Sequence, residues 1–318
     1  MKVTEEAEKY MQDTTQTVRE LAYRVIDKGH PDSILDHQGI AELAEKIKIL
    51  PSKLKINSNT EVPFSTQFGF YLLFGSINYC FTHPVSNIKF TYMHAGNKMK
   101  RSRGFMFALL HSGIDWDDFE SIENIQIDEW HSMLQTSDES NLYELDVRLK
   151  RLKLFAKYLC KNSLTTSQDV LTLLPNTALL FQIIVESQLF QDEFLKRAQV
   201  TISLLSNLNY NYFGKHLAGR EYLTAMPDYR IPQLLYNIGT IGVRGETLEN
   251  LRNKVCLQSD DPSVQFLRAS VIVIADKLHT LLDIPEAEVD SRLWDLAELL
   301  LDKSQLTTPA MRVQTNEY

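Results

Sequence analysis

The sequence predicts a mostly α-helical protein that forms a single domain over residues 1–318. Apolar residues recur at helical spacing through most of the chain, from Glu5–Ile26 to Glu286–Leu301. The 318 residues include only 12 Gly and 10 Pro, and no Gly/Ser-rich or Pro-rich linker divides them. The clearest β signal is one short hairpin, so helices are expected to form the framework.

The predicted helices follow one another with breaks at Gly, Pro and polar residues. Gly29-His30-Pro31 ends the first helix and Pro51 follows the second. Phe68–Phe81 is apolar almost throughout, which fits a buried strand or a buried helix, and we favour the helix. The others, each amphipathic or apolar at helical spacing, are Gln38–Ile49, Gly104–Ser112, Ile127–Leu134, Asn141–Cys160, Leu164–Leu174, Thr177–Glu186, Gln191–Leu208, Pro232–Ile238, Gly245–Lys254 and Ser263–Leu282.

Two further segments stand apart from these helices. Ile88–Met93 and Lys98–Arg101 flank Ala95-Gly96-Asn97, which predicts a β-hairpin near 88–101 with a turn built on Gly and Asn. Residues 305–318 are expected to form a flexible C-terminal tail.

Composition limits the function classes. A formal charge of −8 disfavours a stable nucleic-acid binder, because phosphate backbones require a basic surface. No stretch is long enough to span a membrane, and the N-terminus has no apolar leader, so no membrane partner is expected. Three widely spaced cysteines fit a reducing compartment, so we expect a cytoplasmic protein. The oligomeric state is left open.

Two basic runs interrupt this acidic background. The first could hold a single phosphate, and the second, on a predicted helix, is interpreted as a solvated face. They are Lys98, Lys100, Arg101 and Arg103, and Arg148, Lys150, Arg151 and Lys153.

The common signatures of nucleotide-binding loops, zinc proteases and serine hydrolases are absent from the sequence. The eight histidines are scattered without cysteines or carboxylates at metal-ligand spacing. We therefore predict no metal site and no cofactor.

The segment DYRIPQ at residues 228–233 is the strongest candidate site. It places a carboxylate, a phenol, a guanidinium and an amide just before an amphipathic helix, with Pro232 near the first helical position. Asp228 is expected near the positive end of that helix, where a carboxylate is held ionised. The alternative is that Asp228 only caps the helix and Arg230 is its surface ion-pair partner.

Other polar residues stand in apolar runs. For each, a structural role is the simpler interpretation: a hydrogen-bonded amide for Asn78, a solvated head for Lys196, a helix ion pair for Arg268 and a core ring for Trp294.

Taken together and in order, these segments resemble the queuosine salvage protein family, the queuosine 5′-phosphate N-glycosylase/hydrolases. The resemblance covers nearly the whole chain, and KRAQ followed by DYR-x-PQ with LWD downstream is its most specific part. The segments that carry it are INYCF (77–81), IIVES (183–187), FLKRAQ (194–199), DYRIPQ (228–233), LRAS (267–270) and LWD (293–295).

The resemblance implies a helical fold related to helix-hairpin-helix DNA glycosylases and hydrolysis of the bond between queuine and ribose 5′-phosphate. Breaking that bond builds positive charge on the sugar, so an anchored carboxylate is needed, and Asp228 is our candidate. Lys196 is the second catalytic candidate and, with Arg230, a candidate phosphate ligand. Phe81, Tyr229 and Trp294 would sandwich the base, and Asn78 or Asp295 would read its polar edge. Gln233 and Arg268 complete the predicted substrate-binding set.

The chain departs from the family pattern at Gly75 and Thr82, where members carry an acidic residue and a tryptophan, and the segment before Arg268 lacks an acidic residue often found there. The departures leave open a related deazapurine substrate, or a non-catalytic nucleotide-binding or adaptor protein derived from the family. A sequence-nonspecific DNA glycosylase is disfavoured by the acidic charge. Convergence of Asp228, Lys196 and aromatic rings at one cavity would favour the enzyme, and a large exposed apolar groove would favour the adaptor.

Overall fold

The computed structural model of the protein describes residues 2–50, 62–84, 86, 88–94, 97–134, 142–173 and 177–315. Fourteen α-helices in these ranges confirm the prediction of a mostly helical protein. They are α1 (Lys2–Lys28), α2 (His37–Lys48), α3 (Phe64–Gly75), α4 (Arg101–Leu110), α5 (Phe119–Glu123), α6 (Ile127–Met133), α7 (Leu145–Lys161), α8 (Ser167–Thr172), α9 (Thr177–Glu186), α10 (Lys196–Phe213), α11 (Arg230–Asn237), α12 (Gly245–Arg252), α13 (Pro262–Leu282) and α14 (Glu286–Asp302). None of the helices in the described ranges is long and apolar enough to cross a membrane.

Six short strands within the same described ranges form three separate pairs. The predicted hairpin is confirmed as an antiparallel pair, although its turn residues Ala95 and Gly96 lie outside the described ranges. A second antiparallel pair and one parallel pair were not predicted, because three-residue strands carry too little alternation. The pairs are β2 (Thr91–His94) with β3 (Asn97–Lys100), β1 (Ser33–Leu35) with β4 (Ile241–Val243), and β5 (Cys256–Gln258) with β6 (Arg312–Gln314).

The buried side chains form two large hydrophobic clusters. The first includes residues of α3, α7, α9 and α10, and the second residues of α2, α11, α13 and α14. α1 contacts α9 through Ala7 and Met11, and α13 through Val18 and Ala22, a helical spacing that places all four on one face. The segment Leu223–Ile231 alternates between the two clusters, so the DYR residues lie where the clusters adjoin.

The chain after α14 is packed against the second cluster as far as residue 315. Leu306 and Met311 are buried, and the backbone around Thr308 exchanges hydrogen bonds with Asn237 of α11. β6 then pairs in parallel with β5. These contacts differ from the flexible tail that the sequence predicts for 305–318, and residues 316–318 lie outside the described ranges.

Candidate active site

Buried polar side chains from three helices hold the backbone of Thr224–Pro227, directly before DYR. Gln199 of α10 accepts a hydrogen bond from the first N–H of this segment (2.7 Å), Glu286 of α14 from the second (3.4 Å) and Asp290 of α14 from the third (2.8 Å). Arg268 of α13 donates to the fourth carbonyl (3.3 Å). Four successive residues are therefore fixed before Asp228, which keeps the carboxylate in one place.

Asp228 is half-buried at the start of α11, where its Oδ1 accepts a hydrogen bond from the backbone N–H of Arg230 (2.6 Å). This hydrogen bond is the helix cap that the simpler interpretation expects Asp228 to provide. The Arg230 guanidinium is buried, however, and forms an ion pair with Glu298 (2.7 Å). Arg230 therefore pairs with Glu298 and does not form the surface ion pair with Asp228 that the simpler interpretation expects.

Lys196 is the first residue of α10 and is buried. The simpler interpretation of this residue, a solvated ammonium head, is therefore wrong. Burial lowers the pKa of its ammonium group, while the negative charges of Asp228 and Asp192 act in the opposite direction. Asp192 also accepts hydrogen bonds from the backbone N–H groups of Phe194 and Lys196. The predicted catalytic pair thus forms one electrostatic cluster at the start of two helices.

Asp290 belongs to this cluster and was not predicted. Burial raises its pKa to about 7, the charge of Asp228 adds to the shift, and the Met226 N–H and Lys196 oppose it. A buried carboxyl with a pKa near neutrality is typical of groups that exchange protons in enzymes. Its only signal in the sequence is its position four residues before Trp294, one helical turn away.

Trp294 lies on the same face of α14 as Asp290 and Glu298, at intervals of four residues. Asp290, one turn before it, accepts from the Met226 N–H, and Glu298, one turn after it, pairs with Arg230. The Trp294 side chain is 43% exposed, so it is not the core ring of the simpler interpretation. Asp295 is half-buried on the adjoining face.

Two buried arginines hold the INYCF loop, which follows α3. Arg197 of α10 donates to the Ser76 carbonyl (2.6 Å), and Arg148 of α7 donates to the carbonyls of Tyr79 (2.6 Å) and Cys80 (2.9 Å). These bonds replace helical ones, so α3 ends before the loop, and the prediction of a helix as far as Phe81 is wrong for its last six residues. Asn78 is half-buried within the loop.

The interpretation of the second basic run as a solvated face is wrong for Arg148. Its side chain is fully buried and burial lowers its pKa to about 10, while Lys150 on the same helix is exposed. Four carbonyls and the Tyr79 ring surround the Arg148 guanidinium, and the carbonyls accept hydrogen bonds from four of its five N–H donors.

A cavity of about 250 Å³ lies between the INYCF loop, α11 and the C-terminal segment. Four predicted substrate-binding residues line it: Phe81, Tyr229, Arg230 and Gln233. The other six predicted residues lie outside its lining: Asn78, Lys196, Asp228, Arg268, Trp294 and Asp295. Tyr229, which is in the lining, is the chain neighbour of Asp228.

Gln233 and Arg268 are bonded to protein groups. Gln233 donates to the Thr308 carbonyl (3.1 Å) and accepts from the Arg230 guanidinium. Arg268 forms a buried ion pair with Asp192 (2.8 Å). Gln233 therefore joins Arg230 to the C-terminal segment, and Arg268 holds Asp192, which lies just before α10 and Lys196.

Comparison with known proteins identifies a family for this chain. The family model described as queuosine salvage protein matches residues 58–318. The chain belongs to the queuosine salvage protein family.

Two relatives in this family carry the same name, queuosine 5′-phosphate N-glycosylase/hydrolase. The protein from Dictyostelium discoideum is 24% identical over 261 residues, which cover 77% of each chain. The protein from Schizosaccharomyces pombe is 25% identical over 139 residues, or 39% of each chain. The first match includes more than two thirds of both proteins.

The departures from the queuosine salvage pattern at Gly75 and Thr82 lie in different environments. A Cβ atom at Gly75 would collide with the Thr201 side chain of α10, so no larger residue fits where α3 and α10 meet. Thr82 instead lines the cavity. The Gly75 departure is thus linked to helix packing, and the Thr82 departure to the shape of the candidate site.

Proposed function

We propose that this protein is a hydrolase that cleaves the N-glycosidic bond of queuosine 5′-phosphate, or of a related 7-deazaguanine nucleotide, and releases queuine for salvage into tRNA. The observation that carries the proposal is the cluster of Asp228, Lys196 and Asp290 on a backbone fixed by buried side chains. Membership of the queuosine salvage family and the names of both relatives support it.

In this proposal Asp228 acts at the anomeric carbon. The bond from C1′ to the base nitrogen breaks, its electron pair leaves with the base, and positive charge develops on the ribose. The Asp228 carboxylate stabilises that charge and orients or deprotonates the water that adds to C1′. The charge of Asp228 favours the ammonium form of Lys196, so a cation lies near the proposed catalytic carboxylate.

The remaining predicted residues would bind the nucleotide around Asp228. We propose that the base lies between aromatic rings chosen from Phe81, Tyr229 and Trp294, since flat bases stack on aromatic faces. Asn78 or Asp295 would bind its polar edge, and Arg230 would bind the phosphate. Gln233 and Arg268 would act as positioning residues, because both are bonded to neighbouring protein groups.

We further propose that residues 1–318 form one domain related to helix-hairpin-helix DNA glycosylases, and that the protein acts in the cytoplasm without stable nucleic-acid partners. The many short helices and the shared N-glycosidic chemistry support the first statement. The charge of −8 and the three unpaired cysteines support the second.

The test is an assay of queuine release from queuosine 5′-phosphate and from queuosine by the wild type and by Asp228→Asn. Asparagine keeps an oxygen that can accept the Arg230 N–H but removes the charge, so folding is retained and kcat falls at least 100-fold. Chromatographic detection of free queuine gives the rate.

Asp260→Asn is the matched control, because Asp260 is an exposed aspartate distant in sequence from the cluster. It is expected to retain wild-type turnover. Unchanged turnover by folded Asp228→Asn would refute the role of this carboxylate. Absence of release from both substrates by the wild type would favour the binding-only alternative.

A further inference from the structure

The lining of the cavity at Tyr229 is strongly basic, although the protein as a whole carries a formal charge of −8. The lining residues include no aspartate or glutamate within the described ranges, but they include five cationic side chains. These are Lys89, Arg101, Arg230, Lys254 and Arg312. We call this space the cationic cavity. Such a concentration of one charge in a concave site attracts an anion.

The five cations come from distant parts of the chain, so their meeting is a property of the fold. Lys89 precedes β2, Arg101 begins α4, and Arg230 begins α11. Lys254 follows α12, and Arg312 lies in β6. Partial burial and the charges of its neighbours, Arg101 and Arg230 among them, lower the pKa of Lys89, which indicates mutual repulsion that a bound anion would relieve.

Arg230 retains hydrogen-bonding capacity at this cavity. The residue is 3% exposed; its Nε pairs with Glu298 and its Nη1 donates to Gln233. Its Nη2 has no hydrogen-bond partner among the described residues. A buried guanidinium nitrogen without a partner is costly unless a ligand supplies an acceptor.

The backbone adds to the positive potential. α4 and α11 both begin at residues of the lining, Arg101 and Arg230, and helix N-termini carry partial positive charge. Arg101 also has φ of 55°, a left-handed conformation that costs about 1–3 kcal/mol in a non-glycine residue. Such strain is commonly retained where it places a functional side chain.

We propose that the cationic cavity is the subsite for the phosphate monoester of the nucleotide. Its lining includes Tyr229, the residue after Asp228, so a nucleotide whose ribose lies at the carboxylate would extend its phosphate into this space. Its volume of about 250 Å³ is below the roughly 300–1,000 Å³ of pockets that enclose a drug-sized ligand, and suits part of a nucleotide. The lining cations indicate an anion-binding site whatever reaction the protein catalyses. The identity of the anion as a nucleotide phosphate rests on the proposed function.

This assignment changes the roles suggested by sequence. Phe81 and Tyr229 line the same space as five cations, so these two rings would border the phosphate as well as the base. Lys196 is assigned to the cluster around Asp228, and Lys89, Arg101, Lys254 and Arg312 join Arg230 as phosphate ligands.

Direct binding tests the anion site without requiring catalysis. Lys89→Gln/Lys254→Gln changes two residues that are exposed overall, so folding should be retained. The double variant is expected to bind ribose 5-phosphate about tenfold more weakly in calorimetry, a few-fold for each partly exposed cation. Lys150→Gln/Lys161→Gln, which removes two exposed lysines of α7, should bind it like the wild type. Ribose is the uncharged probe.

Equal affinity of the double variant and the wild type for ribose 5-phosphate, or no binding by either, would overturn the proposal. So would affinity for inorganic phosphate equal to or above that for ribose 5-phosphate, because the site would then recognise the free anion. Tighter binding of ribose 5-phosphate, weakened only in the cavity variant, would support it.

A kinetic comparison separates this proposal from the proposed function. The ratio of kcat/KM for queuosine 5′-phosphate to kcat/KM for queuosine should fall about tenfold in Lys89→Gln/Lys254→Gln and stay constant in the α7 control. An unchanged ratio in an active enzyme would refute the phosphate subsite and leave the hydrolase standing. Absence of turnover would refute the hydrolase, while the binding result would still decide the cavity.

Discussion

At the scale of single residues, the candidate site depends on buried ionisable groups whose properties differ from those in water. Lys196 and Asp290 are both buried beside Asp228, and burial disfavours the charged form of each. Their opposite charges partly offset that cost. Glu286, one turn before Asp290, has a raised pKa for the same reason and pairs with Arg19. The start of α14 therefore holds two carboxyls at a cost in stability.

Asp290 leads to a prediction about pH. Its pKa is about 7 in the folded protein, against roughly 3.9 in an unfolded chain. Between these values the folded state binds more protons, so the free energy of unfolding falls as pH rises, by at most about 1.4 kcal/mol per unit. Asp290→Asn keeps an oxygen for the Met226 N–H and removes the ionisation. The variant should gain stability relative to wild type between pH 5 and pH 8, measured by urea unfolding.

Asp260→Asn serves as the control for this experiment, since Asp260 is exposed. Its difference in stability from the wild type should be within about 0.5 kcal/mol at both pH values. A difference between Asp290→Asn and wild type that is the same at pH 5 and pH 8 would contradict the assigned ionisation.

At the scale of elements, the INYCF loop is held by side chains in place of regular structure. Arg148 donates to the carbonyls of Ile77, Tyr79 and Cys80 in this loop, and to that of Tyr143. Cys80 has φ of 36°, and the loop leads directly to Phe81 and Thr82 at the cationic cavity. The fixed arginine thus determines the position of one cavity wall.

Arg148→Lys is predicted to destabilise the protein by about 3 kcal/mol. A lysine ammonium cannot reach four carbonyls that a planar guanidinium satisfies, and each unmade bond leaves a buried acceptor. Urea unfolding measures the change. Lys150→Arg is the reciprocal control on the exposed face of the same helix and should lie within about 0.5 kcal/mol of wild type. Equal stability of Arg148→Lys and wild type would exclude the arginine as the main support of the loop.

Local patterns predicted the elements that local forces determine. α9 coincides with its predicted range, and α13 begins one residue early, where Asp261 caps it and Pro262 fits the first turn. β1 and β4 were missed because Ser33 pairs with Val243, and three residues give no periodicity by themselves. Helix formation depends mainly on residues close in the sequence, whereas these strands form only by pairing with residues far along the chain.

At the scale of the whole molecule, the sequence predicted only those residues of the candidate cluster that belong to a recognisable motif. DYR and KRAQ supplied Asp228 and Lys196, whose proximity the fold then provides. Asp192, Asp290 and Arg148 were missed, since each looks like a solvated charge on an amphipathic helix until the tertiary contacts are known. The cationic cavity likewise joins residues separated by more than two hundred positions, which no local pattern encodes.

The C-terminal segment completes both the core and the cavity. Leu306 and Met311 are buried in the second hydrophobic cluster, and the Tyr236 hydroxyl donates to the Pro309 carbonyl (2.5 Å). Residues 309–313 and Thr315 form one side of the cationic cavity. A tail that only fluctuated in solvent would contribute neither stability nor a cavity wall.

Truncation after Ser304 distinguishes these two descriptions. Exposing the sites of Leu306 and Met311 removes about 1.5–3 kcal/mol of apolar burial each, so the free energy of unfolding should fall by about 3–6 kcal/mol in urea titrations. Binding of ribose 5-phosphate should be lost with the cavity wall. A chain ending at Thr315 keeps every described contact of the segment and should match the full-length protein. If the shorter chain is as stable as the full-length protein, residues 305–318 are a flexible tail, and the cavity does not depend on them.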